Sequence, residues 1–269
     1  MKKFLTVALA GVLAASMLFT GCSKKAESKV PDKLIVGTNA EFPPFEYMND
    51  KKQPEGFDIA MIKEIGKRMG KKVEIKNMEF KSLIGAMESD SINAIIAGMT
   101  KTEKREKAVD FSDSYYTTNQ AIILKKDSKI TKLAQLDGKK IGVQQGTTGD
   151  IYSTDDFGDD NVERFNKGME VLVKGAKVKR FKKGVDAVMD LKNGSVDAVV
   201  IDELTANEFV KKNAKKLKIV IDSAGSEYYC IALTKGNTAY KEEVNKQIKA
   251  IKEDGTYDKL KAKYIDSKN

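Results

Sequence analysis

The chain has no histidine and no tryptophan, only two cysteines and only four prolines among 269 residues. Without histidine, the usual general base, the usual zinc ligand and every histidine-activated nucleophile are missing. We therefore expect no catalytic residue, no metal site and no cofactor. The few prolines and the lack of a low-complexity run argue against disorder, and the length suffices for two domains of common size.

The first residues have the pattern of an export signal. A short basic start is followed by an almost wholly apolar run, residues 4–19, and then by small residues. The run is shorter than the ~20 residues that a membrane span needs, which favours a secretory signal over a transmembrane anchor. We expect this signal to cover residues 1–21.

The two cysteines have different contexts. Gly21-Cys22 resembles a bacterial lipobox, whose cysteine is acylated, for example with palmitate, and becomes the mature N-terminus; Phe19 stands where leucine is more usual. Lipid on Cys22 would anchor the chain to the outer face of the cell membrane (a periplasmic location is the variant of this expectation), with residues 22–32 as a tether. Cys230 lies in an apolar run and is expected to be buried, and one thiol excludes an internal disulfide.

The formal net charge of the chain is +9. Basic proteins can bind nucleic acid, but here the lysines are spread along the sequence rather than clustered with aromatic residues. The pattern indicates a solvated surface attracted to an anionic membrane or wall, and no nucleic-acid partner.

Strand and helix patterns alternate along the chain, which predicts βαβ units and parallel sheets. Residues 83–98 resemble residues 187–202, so we expect two lobes of similar build. Their strands end at Gly98 and Asp202, and ligands of open α/β sheets bind beyond the carboxyl ends of strands. The predicted strands are 33–38, 72–78, 92–97, 139–143 and 196–201; the predicted helices are 57–69, 82–88 and 185–191. A second local repeat, 161–173 and 177–189, has no functional interpretation.

Arg105 is a candidate for binding a carboxylate. Thr102 fits a helix N-cap, which places Arg105 in the first helical turn, where a cation is unfavourable unless an anion is bound. The planar guanidinium holds a carboxylate by two parallel hydrogen bonds, as lysine cannot. The alternative is a surface arginine paired with Glu103 or Asp110.

Other side chains each allow two interpretations. Asp202 can hold an ammonium group or cap the following helix. The turn 145–148 can present N–H groups to an anion or be an ordinary connection. Phe42, stiffened by two prolines, and Phe80 can wall a pocket or belong to the core. In combination, a cation, hydroxyls, a carboxylate and an apolar wall describe a site for a free α-amino acid.

At this point the sequence resembles the polar amino-acid-binding proteins of bacterial ABC importers, solute-binding protein family 3. The resemblance covers residues 34–265. Its motifs are "GTNAEFPPFEY", "GFDIAMIKEI", "GMTKTEKREKAVDFSDSYY", "GKKIGVQQGTTGD", "VDAVVIDE" and "EDGTYDKLKAKY".

The resemblance implies an α/β, periplasmic-binding-protein-like fold, with two βα lobes, a central cleft and a two-strand hinge. Lobe 1 would comprise residues 33–117 plus 226–269, and lobe 2 residues 118–225, with hinges near 117–118 and 224–226. It also implies a monomer that captures a free amino acid and delivers it to an ABC permease in the membrane.

The resemblance further implies roles for individual residues. Arg105 would clamp the ligand α-carboxylate, with help from Thr100 and Thr148. The α-ammonium would go to the Gly98 carbonyl, Thr100 and Asp202. Phe42 and Phe80 would flank the ligand side chain, and Asn39, Glu41 and Gln144 would line its far end.

The ligand itself is less constrained. No lysine or arginine is expected at the far end of the site, which disfavours glutamate and aspartate as ligands. The amide pair and Glu41 favour arginine, lysine or glutamine. The alternative is a dehydratase on the same fold, for which Glu41 is the only candidate general acid.

Overall fold

The computed structural model describes residues 29–154, 173 and 175–266. The strands are β1 (Lys33–Thr38), β2 (Glu41–Phe42), β3 (Glu46–Met48), β4 (Pro54–Glu55), β5 (Lys72–Asn77), β6 (Ala94–Ile95), β7 (Val109–Lys125), β8 (Lys140–Gln144), β9 (Lys177–Phe181), β10 (Ala198–Asp202) and β11 (Leu217–Thr234). The helices are α1 (Phe57–Arg68), α2 (Leu83–Glu88), α3 (Glu103–Glu106), α4 (Thr148–Ser153), α5 (Gly184–Asn193), α6 (Glu203–Lys211), α7 (Thr238–Glu253) and α8 (Thr256–Tyr264).

Lobe 1 is built on the parallel strands β5, β1 and β6, in that order. Helix α1 covers this sheet because its apolar residues recur at helical spacing and bury Phe57, Ile62 and Ile65. Strands β2, β3 and β4 form a small antiparallel sheet between β1 and α1 in the sequence. The predicted strand 33–38 and helix 57–69 are confirmed, the helix to within one residue.

Lobe 2 repeats this plan with the parallel strands β10, β8 and β9. Helix α5 buries Ala187, Val188 and Leu191 against them and ends at Gly194, which takes the left-handed backbone conformation of a helix C-terminus. The predicted helix 185–191 and strand 196–201 are confirmed with small shifts of their ends.

Two long antiparallel strands, β7 and β11, connect the lobes and lie side by side at the centre of the eight-stranded sheet. Their ladder is regular on both sides of an irregularity: Asp222 pairs with Gln120, and the next pair is Glu227 with Thr118. This interruption lies at the position where the sequence predicted the hinge.

One predicted element is shorter than expected. The strand 92–97 is reduced to β6, although the Ile96 N–H still donates to the Gly37 carbonyl oxygen at 3.1 Å. The chain then turns at Gly98, which has φ +52°; a Cβ there would lie 3.2 Å from the Phe42 ring. Only glycine adopts this conformation readily, so the turn ends the strand and exposes its carboxyl end.

Several sequence predictions fall outside the described residues: the signal 1–21, Cys22 and the first copy of the local repeat. Cys230 is buried as predicted. None of the helices in the described part of the chain has the length and apolar composition that a membrane span requires.

Candidate functional site

A small cavity lies where the carboxyl ends of β6 and β10 face each other. Its volume is about 10 Å³, roughly the space of one water molecule. The lining residues are Phe42, Phe80, Ala97, Gly98, Thr100, Arg105, Thr147, Thr148 and Asp202. Seven of the ten predicted ligand-binding residues are therefore brought together. In this conformation the space is too small for an amino acid.

Arg105 lies inside this site, not on the surface. Thr102 caps α3 by accepting a hydrogen bond from the Arg105 N–H, as predicted. The side chain is 7% exposed, and its guanidinium donates to the carbonyl oxygens of Thr100 (2.5 Å) and Gly146 (2.9 Å). The surface alternative is wrong, because Asp110 pairs with Lys235 instead.

The two contacts of Arg105 come from different lobes, since Thr100 follows β6 and Gly146 follows β8. The guanidinium also lies over the Phe80 ring, 5.3 Å from its centroid. Burial lowers the pKa of Arg105 to about 10, which leaves it a cation at neutral pH. The site therefore contains a fixed, desolvated positive charge.

Asp202 provides the opposite charge. It occupies the N-cap position of α6, but its side chain makes no capping hydrogen bond. The residue is 3% exposed, and its Oδ1 atom is buried without a hydrogen-bond partner in the described structure. Burial and then the neighbouring Glu227 carboxylate raise the pKa of Asp202. An unpartnered buried carboxylate oxygen is costly unless a cation occupies the site.

Glu227 is a central residue that the sequence analysis missed. Its carboxylate accepts hydrogen bonds from Thr100 Oγ1 (2.5 Å), Thr148 Oγ1 (2.8 Å) and Gln120 Nε2 (2.8 Å). The signal for it was present: in β11 Glu227 lies two positions before buried Tyr229, so strand alternation places it on the interior face.

Gly98 is held from behind by a second buried carboxylate that sequence reasoning also missed. Asp58 Oδ2 accepts from the Gly98 N–H (2.8 Å) and from the Tyr115 hydroxyl (2.7 Å). Burial raises the pKa of Asp58 to about 6, and burial together with Asp58 raises the pKa of Glu46 well above its usual range. These contacts fix the turn whose carbonyl the sequence assigned to a ligand ammonium.

The remaining three predicted residues do not line the cavity: Asn39 and Gln144 are buried, and Glu41 is partly exposed. Gln144 Nε2 donates to Asn39 Oδ1 across the lobes at 2.8 Å, while Gln144 Oε1 is buried without a partner in the described structure. Glu41 forms an ion pair with Lys183 across the mouth at 2.7 Å. The sequence analysis did not place Lys183 there.

Phe42 both walls the cavity and belongs to the core, the two alternatives that the sequence allowed. One face lines the cavity, and its ring stacks on Phe45 at 6.3 Å, in the aromatic cluster beneath the cleft. Among the described residues, no group of three or more histidine, cysteine or acidic side chains is arranged to hold a metal ion.

Two βα lobes joined by two long strands, with charged groups of both signs buried between them, define a solute-binding protein. The chain belongs to the bacterial extracellular solute-binding proteins, family 3, whose family model matches residues 34–267. The family and fold class expected from the sequence are thereby confirmed.

The similar proteins are binding proteins for amino acids. The arginine-binding extracellular protein ArtP of Bacillus subtilis (strain 168) is 33% identical over 98% of both chains. A probable histidine-binding protein of Neisseria gonorrhoeae is 32% identical over 98% of this chain and 96% of that protein. The solved structure of an ancestral arginine-binding protein bound to arginine has a TM-score of 0.77 and 42% identity, covering 88% of this chain and 100% of that chain.

Proposed function

We propose that this protein captures a polar or basic L-amino acid, with arginine, lysine or glutamine favoured, and delivers it to an ABC importer. The observation that carries the proposal is the pairing of opposite charges in one buried site. Arg105 and Asp202 both line the cavity, and Asp202 Oδ1 is buried without a partner in the described structure. A free α-amino acid carries both a carboxylate for Arg105 and an ammonium for Asp202.

The α-carboxylate would bind Arg105, and the α-ammonium would bind Asp202 and the Gly98 carbonyl. The ligand side chain would then lie between Phe42 and Phe80. Its far end would meet the Asn39–Gln144 amide pair and Glu41. An arginine, lysine or glutamine side chain that reached this pair would donate to Gln144 Oε1, which is buried without a partner in the described structure.

Charge balance favours a basic ligand among these. Buried carboxylates outnumber the one buried cation around the site: Asp202, Glu227 and Asp58 against Arg105. A zwitterion adds no net charge, whereas arginine or lysine adds one positive charge and offsets part of this excess. Arginine can also stack on Phe42, a contact that contributes roughly 0.5–2 kcal/mol. The arginine-binding names of similar proteins support the same choice.

Closure of the lobes would be the working motion. We assign residues 33–117 plus 226–269 to lobe 1 and residues 118–225 to lobe 2, with the hinge at the irregular part of the β7–β11 ladder. A ligand that bridges Arg105 and Asp202 binds the closed form better and shifts the open–closed equilibrium.

We further propose that the protein acts as a monomer outside the cytoplasmic membrane, anchored through lipid on Cys22 and docking on a membrane permease. The lipobox-like Gly21-Cys22 after an apolar signal supports the anchor. Mass spectrometry of the membrane-extracted protein tests it: a diacylglyceryl mass on a peptide beginning at Cys22 is expected. A free thiol at this position would contradict the anchor without affecting ligand binding.

Thermal melts of a soluble form beginning at Ser23, with each of the twenty amino acids, test the ligand class. A ligand that binds only the folded state raises stability by RT ln(1 + [L]/Kd), so a specific ligand stands out. We expect large shifts with arginine, and with lysine or glutamine if the site is broader. No shift with any amino acid, after unfolding and refolding to remove carried-over ligand, would contradict the proposal.

The dehydratase alternative is not favoured by the geometry. It needs Glu41 as a general acid, and the Glu41 carboxylate is held by Lys183 at the mouth of the cleft. We expect no turnover of prephenate or arogenate.

A further inference from the structure

Glu227 has no direct place on the wall of the cavity, yet it contacts two residues that do. It is 1% exposed and lies behind Thr100 and Thr148, between the candidate site and a second cavity of about 300 Å³. Thr100 follows β6 of lobe 1 and Thr148 begins α4 of lobe 2, whereas Glu227 lies in the connecting strand β11, directly after its irregular part. One carboxylate next to the proposed hinge therefore contacts a hydroxyl from each lobe.

The direction of these hydrogen bonds is fixed by chemistry. A carboxylate only accepts, and a threonine hydroxyl has a single hydrogen to donate. Thr100 Oγ1 and Thr148 Oγ1 both lie within hydrogen-bond distance of the same atom, Glu227 Oε2, at 2.5 and 2.8 Å. Both hydroxyl hydrogens therefore point at Glu227, away from the cavity.

Gln120 completes the arrangement. Its Nε2 group donates to Glu227 Oε1 (2.8 Å) and to Thr148 Oγ1 (3.2 Å). Gln120 thus occupies one of the two lone pairs of the Thr148 oxygen. Toward the cavity, Thr100 and Thr148 present only acceptor lone pairs, of which Thr100 has more.

We propose that Glu227 is a positioning residue that makes the Thr100 and Thr148 hydroxyls hydrogen-bond acceptors, so that the site selects ligands with an α-ammonium group. This inference rests on the proposed amino-acid-binding function and differs from the sequence-based expectation that both hydroxyls help to bind the ligand carboxylate. While Glu227 holds both hydroxyl hydrogens, neither hydroxyl donates to the ligand carboxylate. That group is left to Arg105.

The substitution Glu227→Gln tests the proposal because it keeps the shape and removes one acceptor. If the new amide nitrogen faces the threonines, it donates to them and turns a hydroxyl hydrogen toward the cavity. If it faces Gln120, the amide oxygen still accepts from both threonines but two donors meet, so this arrangement is the less stable one. The favoured arrangement therefore disturbs the acceptor pattern that Glu227 maintains.

The measurement is titration calorimetry with L-arginine and with argininic acid, its analogue with a hydroxyl in place of the α-ammonium. If the melts show a different preferred amino acid, that amino acid and its 2-hydroxy acid are used. Wild-type protein is expected to prefer the ammonium form by about 100-fold or more, as for a site built around a specific hydrogen bond. In Glu227→Gln the preference should narrow about 10-fold, because arginine binding weakens more than argininic acid binding.

Glu106→Gln is the matched control, because Glu106 forms a partly exposed ion pair with Lys101 and does not line the candidate site. It should leave both affinities unchanged. A merely structural role of Glu227 would weaken both ligands equally, so an unchanged preference in Glu227→Gln overturns the proposal. Absence of any amino-acid binding by the wild type would instead overturn the proposed function.

A second variant guards against failure of Glu227→Gln to fold, judged by circular dichroism. Thr100→Val removes the acceptor itself and should also narrow the preference for the ammonium form. In the Thr100→Val background, Glu227→Gln should narrow it less than in the wild type, since the two residues act through one contact. An unchanged preference in Thr100→Val would contradict the acceptor role.

Discussion

Gln144 and Asn39 join the two lobes by a single side-chain hydrogen bond, from Gln144 Nε2 to Asn39 Oδ1 at 2.8 Å. Each amide has a further anchor, because Asn39 donates to the Met78 carbonyl oxygen and Gln144 to that of Lys182. The pair therefore links the end of β1 to the end of β8 across the lobes, outside the residues that line the cavity. We propose that the side chain of a bound ligand extends to this pair.

Gln144→Leu should weaken arginine binding about 3- to 10-fold, the usual effect of one lost hydrogen bond. Norleucine, which has no side-chain donor, should lose much less. Calorimetric titration of both ligands against both proteins measures this difference. If arginine and norleucine lost the same factor in affinity, Gln144 would act only on closure of the lobes and not on the ligand side chain.

Arg105→Ala should reduce affinity by roughly two to four decades, because removal of one partner from a buried charge pair costs about 3–5 kcal/mol. Arg105→Lys should recover only part of this loss, since an ammonium cannot form the bidentate contact. Arg68→Ala is the control: Arg68 pairs with Glu64 and Asp254 at the surface. Retained affinity in Arg105→Ala, measured by calorimetry, would contradict the carboxylate clamp.

Ligand binding should release protons at neutral pH. The pKa of Asp202 is raised in the ligand-free protein, first by burial, so part of the population is protonated there. An ammonium group favours the ionised form and lowers this pKa, which expels the proton. Calorimetry at pH 7 in phosphate and in Tris should give different binding enthalpies, and Asp202→Asn should abolish the difference. Equal enthalpies in the wild type would exclude this linkage.

The rim ion pairs should make binding sensitive to salt. Lys183–Glu41 and Lys182–Glu79 each cross the cleft mouth at 2.7 Å with partly exposed side chains. Such exposed pairs are weak and are screened by salt. Lys182→Gln with Lys183→Gln should weaken binding a few-fold in low salt and hardly at all in high salt. A salt-independent loss would point to a direct ligand contact instead.

Asp58 should make the protein less stable as pH rises. Its pKa is raised from 3.8 to about 6, so between these values the folded state binds more protons than the unfolded state. The free energy of unfolding then falls with increasing pH through this window, by about 3 kcal/mol for this group. Denaturant titrations from pH 4 to 7 should show this fall in the free energy of unfolding. The fall should be smaller in Asp58→Asn, and in the control variant Asp50→Asn it should be the same as in the wild type. Glu46, whose pKa is also raised, adds to the same trend.

Much of the fold was predictable because local patterns and long-range packing agree. The apolar spacing in α1 favours a helix and the residues after β1 favour a turn. Tertiary contacts stabilise the same two local structures. Gly98 shows the limit: its positive φ shortens the predicted strand to β6, and that turn depends on the Phe42 ring and on Asp58 from elsewhere in the chain.

The site was predictable where a residue type is unusual for its position. Arg105 in a first helical turn and Asp202 at a strand end both stand out locally. Strand alternation in β11 places Glu227 on the interior face, but its partners Thr100 and Thr148 are 127 and 79 positions away and have no local signal. Lys183 is equally hard to place, since Glu41 is 142 positions away. Contacts across a closed cleft have no local signature in the sequence.

The position of β11 also constrains how the chain reaches this structure. In the sheet, β11 lies between β6 and β7, although it is the last strand in the sequence. A chain that folds from its N-terminus can form β1, β5 and α1 early. Strand β6 of lobe 1, however, lacks its neighbour in the sheet until β11, which ends at Thr234, is available. Such non-local pairing slows folding and leaves an open strand edge in the interim. We expect the incomplete chain to depend on chaperones until β11 can pair with β6 and β7.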